Sequence, residues 1–299
     1  MLAQEHKEAF LEPAARIHKG RLIGLSASGL LLYAGITYSL STTWYSEFEQ
    51  GPFHFYNDNG EWLQMDKAGH FWTTYTEARI GMAMYEWTGL ERRKAMWVGI
   101  GLAMTAQTTI EVLDGFSEKW GASLGDIAAN TSGVGLLASQ EYLWQEQRIL
   151  LKFSAHLVDY DSQPSVVTQR VASLYGTSSS EQLLKDYNGQ TYWLSFNPWT
   201  LAGRSSPVPG FLALSVGYGA DGLLGGFENE WETEGQPHDF RSIPRKRQYY
   251  LSIDIDLTKI PTKSRFLKTL FVGLNSIKIP APSISLASDG DMNWHWLYF

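Results

Sequence analysis

Three short polar signatures stand out between Asp66 and Gly135, each set in otherwise apolar sequence. They are Asp66-Lys67-Ala68-Gly69-His70, Glu111-Val112-Leu113-Asp114, and Asp126 with Asn130 ahead of Gly133 and Gly135. Spacings of three and four residues put the polar side chains of each signature on one face of a helix. Carboxylate, imidazole and amide groups with no thiol nearby suit a hard or borderline divalent cation, or acid–base hydrolysis.

In the first signature Asp66 and His70 are one helical turn apart, and Thr73 or Thr74 and Glu77 continue the stripe. A carboxylate at this distance raises an imidazole pKa and fixes its tautomer, as a general base requires, or shares a metal with it. The plainer alternative makes Asp66 an N-terminal cap and His70 a satisfied interior histidine. In the second, Gln107, Glu111 and Asp114 share a face, and two carboxylates that close need a cation or a proton between them. Its alternative is a solvated helix end beside Gly115, which suits Asp114 better than Glu111, the latter following a long uncharged run. In the third, Asp126 is either part of the same chemistry or a helix-start residue, with Asn130 a buried amide. His70 and Glu111 are the hardest to explain as packing and are the candidate catalytic pair. Asp66, Lys67, Asp114, Asp126 and Asn130 are their candidate supporting shell. His70, Glu111, Asp114 and Asp126 are the set a divalent metal would take, the cofactor itself staying open.

The elements that must position these groups are helical. Leu22 to Ser46 carries no charged side chain, long enough to cross a hydrocarbon core of about 30 Å. It reads as a membrane-embedded helix with small faces at Gly24, Ser28 and Gly35, or else as the central helix of a soluble bundle. A second helix is expected from Asp66 to Trp87, a third from Glu91 to Leu113, and a fourth from Gly125 to about Gln140. Between the first two, Trp44 to Trp62 is an aromatic loop with Pro52 and the turn formers Asn57 to Gly60. The polar opening of the chain is no signal peptide, although Met1-Leu2-Ala3-Gln4 has the small residue that a cleavage remnant would leave.

Composition excludes several functions. Zero cysteines remove disulfides, thiolate metal sites, cysteine nucleophiles and a lipoprotein anchor. With 24 Lys+Arg against 31 Asp+Glu and no cationic run, nucleic acid is not a partner. The 12 Trp and 15 Tyr suit a membrane interface or a large aromatic core. Neither a nucleophile elbow nor a phosphate-cradling glycine loop is present. The acidic run Glu228, Glu230, Glu232, Glu234 lacks the spacing of a calcium loop and reads as a solvated loop.

After about residue 160 the periodicity changes from helical to two. Tyr192 to Phe196, Leu212 to Tyr218 and Leu251 to Leu257 alternate as strands, introduced by the turn Asp186-Tyr187-Asn188-Gly189. Arg265 to Ile277 is an amphipathic helix suited to a membrane surface. Trp294 to Phe299 is a strand of alternating aromatics similar to those of outer-membrane barrel proteins. Five or six strands fall short of the eight that small bacterial barrels use.

The pattern Asp66-Lys67-x-x-His70, Glu111 with Asp114-Gly115-Phe116, and Ser123-x-Gly125-Asp126-x-x-x-Asn130-x-x-Gly133 resembles the YfiM-like family. That family is a domain of unknown function labelled as predicted periplasmic lipoproteins. The Asp-Lys-x-x-His and Asp-x-x-x-Asn-x-x-Gly elements are more distantly similar to VanZ-like membrane proteins. Lys185 to Ser195 and Tyr249 to Ser252 resemble a longer subgroup from Gram-negative envelopes. The resemblance implies an envelope location, in the outer membrane or a periplasm-facing membrane, and no activity.

The expected fold is α+β: a polar segment over 1–20, an apolar bundle of four or five helices over 21–160, and a β-rich region with an amphipathic helix over 161–299. The expected function is structural or binding, in the cell envelope, with membrane lipid and envelope proteins as partners. The alternatives are a metal- or carboxylate-dependent hydrolase or transferase acting on a lipid or cell-wall intermediate, and a pore component.

Overall fold

The computed structural model describes residues 10–44 and 48–299; the cleavage-remnant reading at residues 1–4 and part of the aromatic loop lie outside them. The fold is α+β, with an apolar helical bundle followed by a β-rich region that carries an amphipathic helix. The chain divides into two compact units, one of residues 1–57, 73–147 and 261–274, the other of residues 58–72, 148–260 and 275–299.

The first unit is built on α1 (Lys19–Ser39), α2 (Met65–Trp87, from Thr73 on), α3 (Arg92–Gly115) and α4 (Leu124–Trp144). A π-helical turn, Leu40–Trp44, extends α1. Both α1 and α3 are long and apolar enough to cross a membrane. They differ in what covers them: α3 buries Ala95, Met96, Gly99, Ile100 and Ala103, whereas no residue of α1 is buried. α1 is held at points, through Ser26 to the Tyr85 hydroxyl at 3.0 Å and Tyr33 to Thr109 at 2.6 Å. α2 and α3 meet backbone to backbone, because a Cβ on Gly99 would stand 2.4 Å from the Ala78 carbonyl oxygen. α4 runs a turn past the expected end near Gln140 and stops where Gln145 turns left-handed at φ 53°, which releases the chain into a strand.

The second unit contains β1 (Ile149–Ala155), α5 (Ser165–Tyr175), α6 (Ser179–Lys185), β2 (Gln190–Phe196) and the short α7 (Pro198–Leu201). β3 (Leu212–Asp221), β4 (Glu230–Thr233), β5 (Gln236–Asp239) and β6 (Lys246–Ile255) follow. Then α8 (Arg265–Leu274), the amphipathic helix, belongs to the first unit, and β7 (Ala281–Ala287) and β8 (Met292–Tyr298) return to the second. The six-stranded antiparallel sheet runs β1-β2-β3-β6-β7-β8, so only the β3-to-β6 step skips neighbours in the chain. The skipped piece is the acidic run, which is a hairpin of β4 and β5 rather than a plain loop. Glu234 and Gly235 both have positive φ, the combination that matches the twist of a tight hairpin. α5 and α6 interrupt the region expected to be β-rich; Ser178 and Glu181 cap α6 reciprocally.

Side chains of the sheet alternate as a period of two requires, but the two faces are inverted relative to a soluble sheet. Ser195, Ser215, Ser252, Asp254 and Ser283 are buried, while Leu214, Val216, Leu251, Ile253 and Leu286 are exposed.

Candidate functional site

The seven predicted residues divide between the units: Glu111, Asp114, Asp126 and Asn130 lie in the first, and Asp66, Lys67 and His70 in the second. In the first unit, Glu111 is 3% exposed and its Oε2 accepts the Ser123 backbone N–H at 3.0 Å. Ser123 Oγ in turn accepts the Asp126 N–H at 3.1 Å and caps α4. In a usual capping box the residue at the Asp126 position reaches back to the cap's own N–H. Here Glu111, from the preceding helix, takes that N–H, so α3 is stitched to the start of α4. Asp126 lies in the first turn of α4, where Ser123 does the capping, and is buried at 4% exposure.

One turn further on, Thr74 Oγ1 donates to Asn130 Oδ1 at 2.6 Å in a buried bond between α2 and α4. Gln107 Nε2 donates to Glu77 Oε2 at 3.1 Å between α3 and α2. The three helices are thus tied pairwise by polar contacts from the predicted stripes. Asp114 is half-buried in the last turn of α3. Its neighbour Gly115 lets the Phe53 ring close over the turn, since a Cβ there would overlap the ring unless it shifted. At the other end of the bundle Arg92 holds Glu141 with both arms, at 2.7 and 2.8 Å, and Gln147 donates to the same carboxylate at 2.8 Å. Sequence reasoning missed this cluster; the charged Glu141 inside an apolar helix was its signal.

In the second unit, a turn at Glu61–Gln64 precedes α2, with Trp62, Leu63 and Gln64 all at positive φ. That backbone is costly for residues with side chains. It is held by the Trp62 N–H to the Gly226 carbonyl at 2.7 Å, by the Tyr218 hydroxyl donating to Leu63 O, and by Arg247 donating to Gln64. The helix starts at Met65, so Asp66 is inside its first turn and is not the N-terminal cap. Its carboxylate faces Lys67 Nζ at 3.1 Å and His70 Nε2 at 3.8 Å, and accepts the Tyr187 hydroxyl at 3.1 Å. Lys67 also reaches Asp58 at 2.7 Å. Burial, with the negative charge of Asp66 next, pushes the Tyr187 phenol well above its ordinary pKa, which keeps it a donor. Gly69 leaves room for the Tyr192 hydroxyl, which would stand 3.0 Å from a Cβ. The signature thus brings an imidazole, a carboxylate and a cation together in two turns, with the later Asp186–Gly189 turn supplying the phenol.

That later turn is a hub in its own right. Asn188 donates to Asp186, Tyr160 and the Leu223 carbonyl at 2.8 to 3.0 Å and accepts the Leu223 N–H at 2.7 Å. Burial raises the Asp186 pKa, opposed by the bonds from Tyr160 and Asn188.

A second constellation was not anticipated. Lys152, Asp254 and Lys278 have no side-chain exposure; Asp254 lies 2.8 Å from Lys152 and 3.8 Å from Lys278. Ser195 donates to Asp254 at 2.6 Å, and the ammonium groups donate to the carbonyls of Ile255, Ile253 and Ile279 at 2.7 to 2.8 Å.

Neither a curated protein nor a solved structure gives a match to the chain. Residues 54–140, a stretch holding all three polar signatures, match the model of a family described as "Predicted periplasmic lipoprotein (DUF2279)", a label that gives this stretch an envelope setting and no activity.

Proposed function

We propose that this chain is a membrane-attached structural and binding protein of the cell envelope, in which the polar signatures fasten helices inside an apolar surrounding. The observation that carries this reading is α1: none of its 21 residues is buried, and its outer positions are apolar, among them Ile23, Leu30, Leu31 and Leu32. In water such a helix would be an unusually large exposed apolar surface; in hydrocarbon it costs nothing. The polar contacts fit the same reading, since Thr74 bonds Asn130, Gln107 bonds Glu77 and Glu111 bonds the start of α4. The likeness to YfiM-like proteins, and the more distant one to VanZ-like membrane proteins, agrees with an envelope role. The test is fractionation: the wild type should stay with membranes through an alkaline wash, and Leu31→Lys should weaken that retention. Release of the wild type by the wash would end the membrane reading.

A second reading is favoured by the His70–Asp66 pair, in which the imidazole Nε2 stands 3.8 Å from the carboxylate. In it the chain is a hydrolase or transferase acting on a lipid or cell-wall intermediate, with His70 and Glu111 in acid–base or metal-binding roles and a divalent ion as cofactor. It requires His70→Ala to abolish lipid hydrolysis or metal content while the fold survives. The pore alternative finds less support, because Trp193, Tyr250 and the ion trio fill the inward side of the sheet.

A further inference from the structure

We infer that the six-stranded sheet of the second unit is seated in lipid, with its outward face against acyl chains and its ion trio as the filling of a closed interior; this rests on the membrane reading above. The first observation is the inversion of its faces. Charged and hydroxyl side chains, Lys152, Asp254 and Lys278 with Ser195, Ser215 and Ser252, are buried. On the opposite face Leu214, Val216, Leu251, Ile253, Ile284 and Leu286 are each 38 to 54% exposed. In water this distribution is the wrong way round, since ions would be desolvated while leucines and isoleucines stayed wet. In hydrocarbon it is the favourable one, and strands that alternate apolar-out and polar-in are what lipid-embedded sheets show.

The second observation is closure. A sheet in lipid cannot leave an open edge, because its unpaired backbone groups would have no water to bond. Here the edge of β1 is met at its Phe153 by the segment leading into β7: Phe153 N–H donates to Ser276 O at 2.9 Å and Lys278 N–H to Phe153 O at 2.8 Å. The opposite edge strand folds back toward it, with the Tyr298 and Thr191 hydroxyls 3.0 Å apart and His156 Nδ1 3.3 Å from Phe299 O. Tyr298 stacks on Tyr250 at 4.5 Å between ring centroids, across the interior. The third observation is length. The central strands β3 and β6 have 10 residues each, as many as a tilted membrane strand of about 9–11 residues requires, while the four outer strands have 7 each. Charges collect beyond the apolar band at one end, where Lys246 meets Asp289 and Asp291.

Lipid suits this face better than a second protein. The outward positions of β3, β6 and β7 from Leu212 to Tyr218, Tyr249 to Ile255 and Pro282 to Leu286 include no charged or amide side chain, whereas a protein interface mixes an apolar centre with a polar rim and hydrogen bonds.

The chain has no cysteine, so single cysteines carrying a bimane fluorophore can be placed at Leu251, Ile253, Leu31 and Glu234 in the full chain. Each is reconstituted into phosphatidylcholine vesicles with or without brominated acyl chains, and iodide is used as the aqueous quencher. The expected result is quenching by bromolipid and not by iodide at 251 and 253, with the reverse at 234 in the exposed hairpin. If Leu31→Cys is quenched by bromolipid while 251 and 253 respond to iodide, the membrane reading stands and this inference is overturned. If 251 and 253 respond to neither, a protein covers the face and the inference is likewise overturned. If none of 31, 251 and 253 responds to bromolipid, both fail.

Discussion

Glu111 separates the structural from the catalytic reading at the level of one side chain. Its Oε2 accepts the Ser123 N–H, a bond that a glutamine carbonyl oxygen makes as well as a carboxylate. Glu111→Gln should therefore keep the thermal midpoint close to wild type in detergent, whereas Glu111→Ala strands a buried N–H and should cost about 1–3 kcal/mol. A metal or acid–base role would instead make both variants equally inactive. Thr74→Val removes the donor to Asn130 and should destabilise by a similar amount, again read from the thermal midpoint. The site was partly legible in the sequence. The one-turn spacing of Asp66 and His70 is realised as a contact, because helix geometry alone dictates it. The partners of Glu111 and Asn130 were not legible, since Ser123 and Thr74 come from other elements and only packing brings them in. The cap reading of Asp66 failed because the preceding turn moves the helix start one residue earlier than the charge pattern implies.

Among the elements, glycines report which helix faces are crowded. Gly99 has no space for a Cβ against the Ala78 carbonyl, whereas Gly101, on the same helix, has nothing within 4 Å. Gly99→Ala should force α2 and α3 apart and destabilise by about 1–3 kcal/mol. Gly101→Ala should instead stabilise by about 0.5–1 kcal/mol through helix propensity. Thermal unfolding of the two variants should move in opposite directions, and a shift of the same sign would mean that the interhelical contact is not as close as described. The four long helices were legible from their apolar runs, and the end of α2 also from the stop at Gly89. α5 and α6 were missed because serine-rich composition concealed a capping box at Ser178 and Glu181. β1 was missed because its short apolar run follows a helix directly and nothing but Gln145 marks the break.

For the molecule as a whole, the buried trio sets the largest energetic stake. Asp254→Ala would leave Lys152 and Lys278 buried without their carboxylate and should cost about 3–5 kcal/mol. Replacing all three with Met, Leu and Met should be far milder, and denaturation of the two variants side by side measures the difference. A triple variant as damaged as the single one would mean that the trio matters for something other than charge balance. The period of two in β3 and β6 was plain in the sequence, yet which face is interior was not: alternation specifies two faces and is silent on the solvent that each meets. The inversion emerges only when Ser252 and Asp254 are seen on the same side as Ser195 and Lys152.

The pairing of β1 with the segment ahead of β7 also carries a consequence for biogenesis. β1 is made early, but the strands that close its edge are the last of the described chain to leave the ribosome. Local contacts let the helices form as they emerge, whereas the six-stranded sheet must wait for its most distant partner. Until then the nascent chain presents an unpaired strand edge and a half-built ionic centre, so a translation product stopped before Asn275 should bind chaperones or aggregate even though it retains α1.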